Sequence, residues 1–67
     1  MDRHALIARK HEVCRQRERL QRELETLQSQ SSTRRVRRTV DSLQRQIDHL
    51  MSEEYALRLA IDQAGPA

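Results

Sequence analysis

Apolar residues recur along this chain once every heptad. In the first half the repeat is Leu6, Val13, Leu20 and Leu27, with Leu24 at the intermediate position. With the first set at d, the a positions are Arg3, Lys10, Arg17 and Leu24. In the second half Val36, Leu43, Leu50, Leu57 and Ala64 take d, and Val40, Ile47, Glu54 and Ile61 take a. Alternating steps of four and three residues predict helices with a coiled-coil seam.

The two halves are out of phase. From Leu27 to Val36 is nine residues, two more than a heptad. One straight helix would therefore carry its seam onto a new face. The slip falls among Ser29, Ser31, Ser32 and Thr33, whose hydroxyls compete for backbone hydrogen bonds and favour caps and turns. Ser32 or Thr33 is the expected N-cap of a second helix, and Asp2 that of the first. Gly65 and Pro66 follow the second as a stop. The pattern predicts one all-α unit over residues 1–67. It is an antiparallel two-helix hairpin, with helix 1 over 3–29, a loop at 30–32, helix 2 over 33–63 and a tail at 64–67.

A two-helix hairpin leaves half of each seam in water, and a chain of 67 residues has little core of its own. The expected completion is a homodimeric four-helix bundle. The end opposite the loop carries the surface for it. There Leu6 and Ile7 on helix 1 meet Met51, Tyr55, Leu57, Leu59 and Ile61 on helix 2, forming an apolar patch broader than an a/d stripe. Such patches mark interfaces, for a second copy or for a foreign helix.

Charges at core positions bear on register. Glu54 is the only charged residue at an a or d position of helix 2. Matching levels across the hairpin sets it opposite Lys10, so a Lys10–Glu54 pair is expected to fix the antiparallel register. Arg17 faces the Leu43–Ile47 level and has no evident acid within the hairpin.

Composition agrees with long helices. Charged residues make up 34% of the chain, Gly and Pro occur once each, and Tyr55 is the only aromatic residue. Net charge is +3, and Lys10 is the only lysine among thirteen basic residues. The charge is uneven. Residues 15–45 hold nine arginines against four acids, a net of +5, while the remainder nets −2. Helical spacing offers partners to several of the nine, as in Glu18–Arg22, Arg19–Glu23, Arg37–Asp41 and Asp41–Arg45. Arg34, Arg35 and Arg38 lack such partners, apart from Glu23 and Glu25 at the end of helix 1. They form a basic cluster in the first turns of helix 2, where the helix dipole disfavours positive charge.

Candidate chemistry is sparse. No pair among His4, His11 and His49 has the i, i+4 spacing that clamps a metal on one helix. Cys14 lies beside Val13 at the seam and reads as a packed side chain. There is no phosphate-binding glycine loop and no nucleophile elbow. The stretch "QRQID" over 44–48 keeps only the aspartate of the Ser-Gln-Glu-Leu-Asp signature of small helical-hairpin aspartyl-phosphate phosphatases. Neither an enzyme nor a cofactor or metal site is expected. A lone cysteine suits a reducing compartment, and the N-terminal "MDRHALIARK" reads as neither signal peptide nor membrane span, so a cytoplasmic protein is expected.

The function expected is helix–helix interaction, as a small adaptor, chaperone or inhibitor that binds a larger protein. Small co-chaperones of bacterial secretion systems and phage-encoded anti-activators have comparable size and shape, an analogy of architecture alone. The alternative is a basic dimer that contacts nucleic-acid phosphates through the loop-end arginines. Against it, no aromatics interleave with them for stacking on bases.

Overall fold

The structure is a computed structural model that describes residues 2–65. Two helices, α1 (Arg3–Gln28) and α2 (Arg34–Ala64), pack against each other. Together they form a rod 51 Å long and 14 by 13 Å across. Pro66 and Ala67 lie outside the described residues.

Local chemistry sets the helix ends. The Asp2 carboxylate accepts the Ala5 amide at 2.7 Å, satisfying a donor with no intrahelical partner. At the loop, Ser29 Oγ donates to the Thr26 carbonyl at 2.7 Å, and the Gln30 amide donates to the Leu27 carbonyl at 3.1 Å. Thr33 is extended and its hydroxyl accepts the Val36 amide at 3.1 Å, so it caps α2. Gly65 ends α2 at φ 74°, a left-handed value that glycine adopts without Cβ strain. Its carbonyl accepts a 3.0 Å hydrogen bond from Arg3 Nη1, which clasps the open end of the hairpin.

The core is small and lies towards the loop. Leu24, Leu43 and Ile47 are buried together, with Leu20, Leu27 and Val40 packed on them. Val13 is fully buried further from the loop. These are all a or d positions of the two heptad phases, so the phase slip at the loop turns both seams inward. Ala64, a d position, is exposed at the end of α2.

Candidate functional site

Beyond the apolar core, the seam of the hairpin becomes polar. Glu54 projects from α2 between Cys14 and Arg17 of α1. Arg17 Nε donates to one carboxylate oxygen and Cys14 Sγ to the other. Arg17 Nη1 also donates to Gln21 Oε1 at 2.9 Å. The Arg17 and Glu54 side chains are only 24% and 18% exposed, so this is a half-sheltered ion pair with several of its polar atoms satisfied.

The expected Lys10–Glu54 pair is not formed, and Arg17, one heptad nearer the loop, takes its place. Lys10 and Arg17 are successive a residues on α1, so both are directed at the seam, and Glu54 takes the guanidinium, whose Nε reaches one carboxylate oxygen while Nη1 binds Gln21. Lys10 still acts on Glu54 through its charge.

Ionisation follows from this geometry. Partial burial, the largest single influence, works to raise the Glu54 pKa, and hydrogen bonds from Cys14 and Arg17 work to lower it. Together with the Arg17 and Lys10 charges they hold the carboxyl below its ordinary value. The Glu54 hydrogen bond, followed by burial and the carboxylate charge, pushes the Cys14 thiol up. Cys14 is thus held as a protonated donor, the opposite of an activated thiolate.

A second cross-helix contact lies further out. Arg9 donates to Glu53 Oε1 through Nη2 at 2.7 Å and Nε at 3.1 Å, and also approaches Glu12 at 3.4 Å. The Glu53 hydrogen bond, followed by its charge, raises the Arg9 pKa.

The apolar end divides into two kinds of residue. Leu6, Ile7, Leu57 and Ile61 are half-buried. Met51, Tyr55 and Leu59 are 52%, 65% and 44% exposed. These three follow one another at i, i+4 and i+8 along α2, so they form one stripe on its surface.

Arg34, Arg35 and Arg38 are exposed and form no ion pair among the described residues. Glu23 and Glu25 do not answer them. The i, i+4 pairs expected for Arg19, Arg22, Arg37 and Arg45 are not closed either. Of the nine loop-half arginines, Arg17 alone is ion-paired among the described residues. Exposed side chains in water gain too little from pairing to offset the entropy of holding one geometry.

Shallow open grooves run along the hairpin. One, of about 430 Å³, is lined by Leu20 and Leu50 with Gln16, Arg19, Arg45, Gln46 and His49. Among the described residues no group of three His, Cys, Asp or Glu could hold a metal. No described helix is long and apolar enough to cross a membrane. No family model matches this chain, and comparison with curated proteins and with solved structures finds no match.

Proposed function

We propose that this chain is a non-enzymatic helix–helix interaction protein of the cytoplasm. It pairs with a second copy as a four-helix bundle and acts as a small adaptor, chaperone or inhibitor of a larger protein. The observation that carries this reading is the stripe of Met51, Tyr55 and Leu59, three large side chains left exposed. Among the described residues only Val13, Leu24, Leu43 and Ile47 form the buried core, so the hairpin has more apolar surface than it can cover itself. Covering the stripe with another helix removes that surface from water. Met and Tyr suit the task, one adapting its shape and the other keeping its hydroxyl at the wet rim.

Light scattering over a concentration series tests this reading on the unaltered chain and on a Tyr55→Asp, Leu59→Asp variant. Both substitutions fall on exposed positions, so helicity by circular dichroism should be retained. The expected result is a dimer that the variant loses. A wild-type monomer at every concentration overturns self-association, and a variant that stays dimeric moves the interface off the stripe.

A second reading, a dimer that grips nucleic-acid phosphates, is favoured by one observation. The loop-half arginines other than Arg17 are left without ion pairs among the described residues. Guanidinium groups free of internal partners are available to phosphate oxygens.

A further inference from the structure

We propose that the groove floored by Leu20 and Leu50 binds an acidic amphipathic helix of a partner protein. That helix sets an aliphatic side chain on the two leucines and carboxylates against Arg19 and Arg45. The proposal rests on the helix–helix interaction reading and adds the place and the chemical class of the partner. It does not need a second copy of the chain.

The heptad pattern puts this groove on one side of the seam. Leu20 and Leu50 are d residues, and both are half-buried. Gln16 and Gln46 hold the g positions beside them and line the same groove. The e positions, on the other side of the seam, include Gln21 and Gln44, which line a separate groove. The hairpin therefore has two open faces, and they differ in charge.

The g-side groove is cationic. Arg19 lines it from α1, and Arg45 and His49 line it from α2, so basic side chains stand on both walls. No acid lines it among the described residues. Neither Arg19 nor Arg45 is ion-paired among those residues. The e-side groove instead includes Glu25, and the groove beside the loop includes both Arg37 and Asp41. A carboxylate entering the g-side groove thus meets two guanidinium groups and no competing anion.

Shape and chemistry together select a helix. The groove is shallow and open, whereas small ligands use clefts that enclose most of their surface. A helix covers such a groove with its own backbone and buries its anchor on two d leucines, as a third helix of a bundle does. Its flanking positions then lie over the glutamines and the basic walls. A nucleic-acid backbone would answer the arginines but leave the leucine floor uncovered. One helix with aliphatic residues on its seam and Asp or Glu on either side answers both.

Two synthetic helical peptides test this, each with leucine at a and d. One carries glutamate at e and g, the other lysine. Like charges there keep each peptide from pairing with itself. Each is titrated into the full chain, and affinity and backbone amide shifts are measured together. The expected result is binding of the glutamate peptide, with shifts centred on Leu20, His49 and Leu50. Arg19→Glu combined with Arg45→Glu should weaken that binding about tenfold or more and favour the lysine peptide, because like charges facing across an interface oppose association. Both substitutions fall on exposed positions without ion pairs, so helicity should be retained. Arg19→Gln with Arg45→Gln removes charge without reversing it and should give an intermediate loss. Equal affinity for the two peptides overturns the proposal, as does a DNA duplex that displaces the peptide and gives the same shifts. Shifts centred on Met51, Tyr55 and Leu59 overturn the groove and leave the helix-binding reading standing. A dimer of the unaltered chain that the Arg19→Glu, Arg45→Glu variant loses makes the occupant a second copy and overturns the foreign partner. Binding of neither peptide overturns the proposal, and with a monomeric mass for the unaltered chain it overturns the interaction reading as well.

Discussion

Arg17 on α1 pairs with Glu54 on α2 across the hairpin, and the same carboxylate accepts a hydrogen bond from the Cys14 thiol. This is a polar layer between the fully buried Val13 and the apolar core of Leu24, Leu43 and Ile47. Removing one partner strands the other in partial shelter from water. A double-mutant cycle with Arg17→Met and Glu54→Gln is expected to return a favourable coupling of about 1–2 kcal/mol. That is above the range for exposed pairs and below the cost of breaking a fully buried one. Urea unfolding of the four proteins measures it. A coupling of zero would mean that the pair sets register without adding stability.

The same cluster makes stability depend on pH in two directions. The folded Glu54 pKa is depressed, so its contribution is present above the unfolded value of about 4.3. It is lost as pH falls through the lower folded value. The folded Cys14 pKa is raised. Its contribution is therefore complete below the unfolded value of about 8.5 and is lost as pH rises through the higher folded value. Stability should be greatest on the plateau between those limits. Glu54→Gln should flatten the acid limb, and Cys14→Ser should flatten the alkaline limb. Thermal unfolding across that range checks both, and an acid limb unchanged by Glu54→Gln would assign it to other carboxylates.

Much of this fold was legible from spacing and capping chemistry. The heptad phases identify Val13, Leu24, Leu43 and Ile47 as seam residues, and these four are the buried ones among the described residues. The hydroxyl run marks the turn because Thr33 can satisfy the Val36 amide. The partner of Glu54 was not legible from matching levels, which set Lys10 opposite it, whereas the longer-reaching Arg17 one heptad nearer the loop forms the pair. The division of the apolar end was half legible. Leu57 and Ile61 are d and a residues and face the hairpin, whereas Met51, Tyr55 and Leu59 fall outside the seam and remain exposed. The i, i+4 pairs failed for a different reason. Spacing states which charges can meet, and solvation decides whether they do.

The arginines at the start of α2 should cost the hairpin stability. Arg34, Arg35 and Arg38 lie in its first turns with no ion-paired acid among the described residues. There the unsatisfied amides already present positive potential. Replacing Arg34 and Arg35, the first two helical residues, with Glu should stabilise α2 by about 0.3–1 kcal/mol for each residue at low ionic strength. The gain should shrink as salt screens the dipole interaction. Thermal unfolding at two salt concentrations reads the effect, and a fall in stability would show that these side chains hold internal contacts. The same variant separates the two readings of the loop end. If these arginines grip phosphate, duplex affinity falls and its salt slope flattens as phosphate contacts are removed. If they serve only protein contacts, any residual duplex binding keeps its slope while the stability gain remains. A stabilising change at these positions would mean that the native arginines are held against the interest of the helix. Such a cost is expected where a surface is used for binding.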